Sequence, residues 1–151
     1  MSEQQLSSVL SGVAGEYFVA AELTKRGYIA SITLRNTKGV DILCSNSDAS
    51  KSVAVQVKTN RGSKRDWVLN VKSESYYADN LYYVFVNLND NQKAPDYFIV
   101  SSIDVAKHTK ETHATWLSTP GRNGKAHNDS TMRKFSDPER KYLNRWDLLG
   151  L

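Results

Sequence analysis

Cysteine and proline are scarce in this sequence, and long apolar runs are absent. The one cysteine, Cys44, has no second cysteine for a disulfide or a zinc site, and it lies inside the apolar stretch VDILC, which predicts a buried side chain. No run of about 18 apolar residues is available to span a membrane. The start of the chain, MSEQQLSSVL, lacks the basic and apolar regions of a secretory signal. We therefore expect a cytoplasmic protein without a membrane partner.

The length and composition predict one globular domain with a basic surface. The 151 residues are 40% hydrophobic and 24% charged, without an internal repeat, so we expect a single domain over residues 1–151. The net charge of +4 is unevenly distributed, because residues 58–72 sum to +4, residues 107–145 to +5, and the remainder to −5. Such clustering suits a polyanion such as nucleic acid, although solvated loops and helix faces would give the same pattern.

Hydrophobic periodicity predicts an α/β chain that begins with a helix. This helix is expected over residues 6–26, with an apolar stripe made of Leu6, Val9, Leu10, Val13, Tyr17 and Ala21. Strands are expected after it, over residues 28–35, 40–44, 53–59, 67–71, 81–88 and 96–100. A second helix, capped by Ser101 or Ser102, is expected to run to residue 117.

The last part of the chain is expected to hold a loop and a third helix. Residues 119–135 are rich in glycine, asparagine, serine and basic residues, which is typical of a mobile loop. The tetrapeptide SDPE at residues 136–139 has the pattern of a capping box, and it predicts a helix with an apolar side made of Tyr142, Leu143, Trp146 and Leu149. That side would dock on the core, or alternatively on a second copy of the chain in a homodimer.

Polar side chains interrupt the most regular strand, VAVQVKT. Its valines alternate with other residues, and Gln56 and Lys58 share a face because side chains two positions apart do so in a strand. Asp41 begins the preceding strand, and Glu16 lies at the margin of the apolar stripe of the first helix. If the two strands pair and the helix packs on the face of Gln56 and Lys58, these four polar groups converge.

Such a cluster has two physical interpretations. Buried charges are costly unless they are paired, so one interpretation is an Asp41–Lys58 pair with Gln56 hydrogen-bonded beside it. The other is a site for a divalent cation, because carboxylate and amide oxygens are the ligands that Mg²⁺ takes. In that case Lys58 would orient or activate a metal-bound water and offset charge on a phosphate. With Glu16, the site and its cation would then sum to about +1, which suits a phosphodiester.

These residues resemble the active-site series of the PD-(D/E)XK nuclease superfamily. The series is Glu16 on an N-terminal helix, GVD at residues 39–41, and QVK at residues 56–58, so that the resemblance covers residues 10–60. It implies a restriction-endonuclease-like α/β fold with an αβββαβ core and a central mixed sheet flanked by helices, to which this chain would add a C-terminal helix. It also implies a Mg²⁺- or Mn²⁺-dependent endodeoxyribonuclease.

One residue departs from the usual series, since Gln56 occupies the position of an acid. The Q-x-K form resembles the Mrr-like branch of restriction nucleases, where the family implies that activity survives. The resemblance implies that Glu16, Asp41 and Gln56 hold the metal, helped by a backbone carbonyl near Val57, and that Lys58 is the catalytic partner. The alternative is a non-catalytic module on the same scaffold that binds nucleic acid or another protein.

The basic loop after the QVK strand is expected to contact DNA. Arg61, Lys64 and Arg65 follow Lys58 closely, which would place them to hold phosphates near the metal. Trp67, the next large side chain, would either stack on a base or enter the core.

Overall fold

The computed structural model describes residues 5–34 and 37–151. Within these ranges the helices and strands are α1 (Ser8–Lys25), β1 (Ile29–Ile32), β2 (Ile42–Ser45), β3 (Ser52–Asn60), β4 (Asp66–Asn70), β5 (Leu81–Asn87), β6 (Asp96–Ser101), α2 (Ser102–Ser118) and β7 (Met132–Ser136). Short 3-10 turns occupy Val71–Glu74, Asn89–Asn91, Arg122–Gly124 and Trp146–Leu149. The end of the first predicted strand, Arg35, lies outside the described residues. Neither α1 nor α2 is long and apolar enough to cross a membrane.

Five of the strands form one mixed sheet in the order β1-β2-β3-β5-β6. β3 and β5 run parallel, whereas β1–β2, β2–β3 and β5–β6 are antiparallel. The alternating pattern of β3 follows from its two different faces, because its valines are buried whereas Gln56 and Lys58 line a cavity. The central mixed sheet flanked by helices, which the resemblance implies, is therefore confirmed.

α1 covers the face of the sheet formed by the β3 valines. Val19 and Leu23 of the helix belong to the same buried cluster as Val53, Val55 and Val57. Cys44 lies in this cluster as predicted, and burial raises the pKa of its thiol to about 11. Gln56 and Lys58 alternate with the valines, so they project from the opposite face of β3.

The buried stripe of α1 differs from the predicted one. The buried helix residues are Ser11, Gly15, Val19 and Leu23, whereas Val9, Leu10 and Tyr17 are exposed. Gly15 lies so close to Thr59 of β3 that a Cβ at this position would overlap the threonine hydroxyl. Gly15 permits this close approach, and the large residues that face the sheet are Val19 and Leu23. The prediction that Val9, Leu10 and Tyr17 do so is wrong, whereas Leu6 packs against the core as expected.

A second buried cluster covers the face from which Gln56 and Lys58 project. It consists of Trp67, Leu69, Tyr83, Phe85, Phe98, Val100, Val105 and Phe135. The Trp67 ring lies 5.1 Å from the rings of both Phe85 and Phe98, and its Nε1–H donates to the Val86 carbonyl at 3.1 Å. Trp67 therefore enters the core, and the ribbon of β4 and β7 is attached to the sheet through it.

The connection from β3 to β5 departs from the αβββαβ order that the resemblance implies. It carries β4 and the turn Val71–Glu74 where that order has a helix, and α2 follows β6 instead. Arg133 of β7 is buried, and its Nε lies 2.7 Å from Oε1 of Glu74. This ion pair joins the ribbon to the turn and fixes the side of the sheet on which the connection lies.

The predicted C-terminal helix is wrong. The segment Met132–Ser136 pairs with β4 as β7, so the last part of the predicted loop is also a strand. The Asp137 carboxylate accepts the N–H groups of Lys141 at 2.9 Å and Tyr142 at 2.8 Å, so the SDPE pattern caps a turn. Trp146 and Leu149 belong to the α1-side core cluster, which confirms that the apolar C-terminal residues dock on the core.

Candidate active site

Asp41 is fixed at the point where β2 meets β3. Its N–H donates to the carbonyl of Val55 at 2.9 Å, and its carbonyl accepts the N–H of Thr33 at 2.9 Å. The carboxylate Oδ2 accepts the N–H of Val57 at 2.7 Å, so the carboxylate lies against β3 between the positions of Gln56 and Lys58. The backbone of the central strand therefore positions the acid of the GVD motif.

Burial raises the pKa of Asp41. The hydrogen bond from the Val57 N–H and the positive charge of Lys58 both act in the opposite direction, but desolvation outweighs them. The ionised carboxylate is thus held where the protein alone does not fully compensate its charge. A cation at this oxygen would compensate the charge. A carboxylate that is buried without full compensation is expected of a metal ligand or of a catalytic acid.

Two cavities border the segment 37–41 that leads into β2. One has a volume of about 280 Å³, and Glu16 and Asp41 both line it. The other has a volume of about 410 Å³, and Gln56 and Lys58 line it together with Gly39. The structure thus places Glu16 and Asp41 at one cavity and Gln56 and Lys58 at the other, and the hydrogen bond that the Val57 N–H donates to the Asp41 carboxylate connects the two pairs.

The expected position of α1 relative to these pairs is wrong. The helix packs on the valine face of β3, whereas Gln56 and Lys58 project from the other face. Glu16 therefore reaches Asp41 from the opposite side of the sheet, past the end of β2. The predicted site residues therefore lie on both sides of the sheet, around the start of β2, and not on one face.

The donor groups fit a hard cation with few protein ligands. Glu16 and Asp41 provide carboxylate oxygens in one cavity, and the amide oxygen of Gln56 lies in the adjoining one. Among the residues that the structure describes, no group of three or more His, Cys, Asp or Glu side chains is placed to hold a metal. One or two carboxylates with water and phosphate oxygens is a usual coordination of Mg²⁺.

Comparison with solved structures finds two chains to which this chain is similar. The bacterial homing endonuclease I-Ssp6803I matches with a TM-score of 0.54 and 15% identity over 97% of this chain and 94% of its own. The chain has the restriction-endonuclease-like fold. Hjc of Archaeoglobus fulgidus, a Holliday junction resolvase, matches with a TM-score of 0.45 and 13% identity over 83% of this chain and 84% of its own. No protein-family model matches the chain, and no curated protein matches it in sequence.

On this restriction-endonuclease-like scaffold the three predicted DNA contacts separate into two places. Lys64 and Arg65 are exposed and line an open groove of about 600 Å³ beside β4, together with Lys134 of β7. Arg61 points elsewhere, because its guanidinium donates to the Leu6 carbonyl at 3.2 Å and lies 3.8 Å from a carboxylate oxygen of Asp90. The structure thus places Lys64 and Arg65 together, and Arg61 near the start of α1.

The sequence prediction missed several residues that line the cavity of Gln56 and Lys58. Lys38, Lys72 and Tyr76 belong to this wall, and they come from the turn before β2 and from the connection between β4 and β5. The one signal in the sequence is Gly39, which has φ +72° and leaves the space of a side chain to the Tyr76 ring. The glycine indicates a turn with positive φ, but it does not indicate that Tyr76 packs against it.

Gly39→Ala should destabilise the protein and disturb this cavity. Alanine is strained at positive φ, and its Cβ would overlap the Tyr76 ring. We expect the free energy of unfolding in urea to fall by more than about 1 kcal/mol. Gly12→Ala in α1 is the control, because nothing lies within 4 Å of its added Cβ. An unchanged stability of Gly39→Ala would contradict the described turn.

Proposed function

We propose that the protein is a metal-dependent nuclease that hydrolyses phosphodiester bonds in DNA. The observation that carries this proposal is the carboxylate of Asp41, which is held on the β3 backbone between Gln56 and Lys58 while burial raises its pKa. A purely structural carboxylate would gain stability from a fully compensating partner, whereas this one keeps a cost that a bound cation would offset. The homing endonuclease with the same fold gives independent support for DNA cleavage.

Each residue of the site has a distinct role in this proposal. Glu16 and Asp41 hold Mg²⁺ or Mn²⁺, with the amide oxygen of Gln56 as a weaker, neutral donor. When bound, such an ion supplies an activated water and stabilises charge on the scissile phosphate. Lys58 is positioned by β3 beside Gln56, and its ammonium group orients the attacking water and stabilises the charge that develops on the phosphate oxygens.

Contacts with the DNA backbone are assigned to the groove beside β4. Lys64, Arg65 and Lys134 place positive charge along it, and phosphate contacts of this kind position DNA without determining its sequence. Arg61 is the weaker candidate, because it does not line this groove. Prior contacts do not separate the residues, since Arg65 donates to the Pro138 carbonyl and Lys134 lies 3.9 Å from a carboxylate oxygen of Asp66.

The deciding experiment compares the wild type with Lys58→Ala on supercoiled, linear and branched DNA. Each substrate is incubated with Mg²⁺, with Mn²⁺ and with EDTA. We expect metal-dependent cleavage by the wild type and a loss of at least about 100-fold in the variant, because the charge that stabilises the transition state is removed. Lys110→Ala is the matched control, since Lys110 lies on the exposed side of α2, away from both cavities.

Equal cleavage by wild type and Lys58→Ala would locate the activity elsewhere or assign it to a contaminant. Circular dichroism of the purified variants should show the same fold, because Lys58 lies at the wall of a cavity and not in the core.

One observation favours a second candidate function, a non-catalytic binding module. Gln56 replaces an acid, and the described residues then offer only two carboxylates, Glu16 and Asp41, at the site. In such a module Lys58 would serve to compensate Asp41, so Lys58→Ala would destabilise the fold by about 3 kcal/mol. A melting temperature unchanged in that variant would therefore argue against the module, whatever the cleavage assay shows.

A further inference from the structure

The cavity lined by Gln56 and Lys58 has the composition of a nucleotide site. Leu69 and Tyr83 are buried and form its floor, and Lys38 and Lys72 lie exposed at its rim. No carboxylate lines it within the described residues. Its volume of about 410 Å³ falls in the range of small-molecule sites.

The lysines of this cavity are available for an anion. None of the ion pairs recorded for the described part of the chain involves Lys38, Lys58 or Lys72. Three lysine side chains around one opening, without a carboxylate in its lining, give it a positive potential that attracts a phosphate. The rim therefore favours an anionic ligand.

The interior is suited to a planar ring. The side chain of Tyr76 is held against the backbone of Gly39, so its ring forms one side wall of the cavity. Asn70 uses its Oδ1 to accept the N–H of Lys72 at 3.1 Å, which leaves its amide N–H groups for a ligand. Gln56 adds a second amide, so donors and acceptors accompany the aromatic wall.

We propose that this cavity binds one unpaired nucleotide of the DNA substrate, next to the phosphodiester that is cut. This inference rests on the proposed nuclease function and names its substrate class. The base lies against Tyr76 over the floor of Leu69, the amide N–H groups of Gln56 and Asn70 contact its edge, and Lys72 contacts its phosphate. Unpaired bases are recognised in this way, by stacking on aromatic side chains and by hydrogen bonds to the base edge.

The shape of the cavity distinguishes this ligand from a phosphate alone. A phosphate would be satisfied at the lysine rim and would leave the apolar floor and the Tyr76 wall without a role. A base within a continuous duplex is stacked between its neighbours and cannot lie against the Tyr76 ring over the apolar floor unless it leaves the stack. An unpaired nucleotide supplies both the anion and the ring, whether it is extruded from a duplex or lies in a single-stranded end.

The test measures DNA binding without metal, so that it does not depend on cleavage. Fluorescence anisotropy gives the Kd for a paired duplex, for the same duplex with one extrahelical nucleotide, and for one with a single-nucleotide overhang. We expect the wild type to bind an unpaired form about tenfold more tightly than the paired duplex, as stacking of one base permits. The two unpaired forms distinguish an extruded nucleotide from a terminal one.

Variants assign the preference to the cavity. Tyr76→Leu and Lys72→Glu should reduce it to less than about twofold, because they remove the aromatic wall and reverse a rim charge. Tyr77→Leu and Lys110→Glu are the matched controls, because they make the same changes at exposed positions outside the cavity. Both controls should retain the preference, although Lys110→Glu can weaken binding to all three DNAs alike.

Failure of this inference differs from failure of the nuclease proposal. Metal-dependent cleavage with equal affinity for the paired and unpaired DNAs would overturn the nucleotide site and leave the nuclease. A preference that Tyr76→Leu and Lys72→Glu both retain would also overturn it. A preference lost in these two variants, in a protein that cuts none of the DNAs, would support the site and refute the nuclease.

Discussion

Asp41→Asn should abolish DNA cleavage and, in metal-free buffer at neutral pH, raise the melting temperature. Asparagine keeps a side-chain oxygen for the Val57 N–H but carries no charge, so the desolvation cost of the carboxylate disappears. We expect the cleavage rate to fall by at least about 100-fold, because the loss of a residue that only orients a metal ligand already lowers activity by about 10- to 100-fold. Calorimetry should show a melting temperature higher by about 2 °C.

The stability difference between these two proteins should depend on pH. Because the pKa of Asp41 is raised in the folded protein, the folded state favours the protonated carboxyl group. The stability that protonation contributes is complete below the unfolded pKa of 3.8 and is lost as the pH rises through the folded pKa. The wild type is therefore penalised at neutral pH, and the advantage of the variant should shrink as the pH falls towards 3.8. Added Mg²⁺ should stabilise the wild type more than Asp41→Asn.

Asp48→Asn is the control for both effects. Asp48 is exposed, and hydrogen bonds from the side chain and the N–H of Ser50 lower its pKa, so neutralising it should not raise stability. Cleavage by this variant should equal that of the wild type. A melting temperature of Asp41→Asn below that of the wild type at neutral pH would show that the carboxylate is compensated without metal.

Trp67→Ala should cause the largest loss of stability among single substitutions in the β4–β7 ribbon. Its side chain is 1% exposed, contacts Phe85 and Phe98, and donates a hydrogen bond to the Val86 carbonyl. Truncation leaves a cavity and removes the hydrogen bond to the Val86 carbonyl, so we expect the free energy of unfolding to fall by about 3–5 kcal/mol in a urea titration.

Val68→Ala provides the comparison within the same strand. Val68 is 60% exposed on the outer side of the ribbon, and its truncation should change the free energy of unfolding by less than about 0.5 kcal/mol. If both variants lost the same stability, Trp67 would not attach the ribbon to the sheet. The contrast also separates a core tryptophan from one that stacks on DNA, whose loss would weaken binding and leave stability unchanged.

The sequence was sufficient to predict the central strand and its polar face. Valines at every second position of β3 are a strong signal, because burial of one face imposes a period of two. The resemblance built on Glu16, Asp41, Gln56 and Lys58 then predicted the fold, which the structure comparison confirms. The roles of these four residues remain predictions, and Asp41→Asn and Lys58→Ala test two of them.

Two errors arose because local patterns do not contain long-range contacts. Periodicity counts large apolar residues and therefore predicts a stripe on Val9, Leu10 and Tyr17, whereas close packing on Thr59 requires Gly15. The SDPE pattern predicts the start of a helix. Pairing of β7 with β4, which brings Phe135 opposite Trp67, decides that region, and nothing near residue 136 in the sequence indicates it.

The cavity wall could not be predicted for a related reason. Lys72 and Tyr76 come from the irregular segment after β4, which has no periodicity, and they meet Lys58 through the tertiary structure alone. Sequence spacing identifies residues that share a strand or a helix, and it cannot identify residues that meet across a connection.

The parallel pairing of β3 with β5 has a consequence for the order of folding. The antiparallel pairs β1–β2, β2–β3 and β5–β6 join neighbouring segments, whereas β3 and β5 are separated by the twenty residues that hold β4. Contacts that close a longer loop form more slowly. We expect two antiparallel units to form early and to join late along β3, so the cavity of Gln56 and Lys58, which Tyr83 of β5 helps to line, is completed only when the two units join.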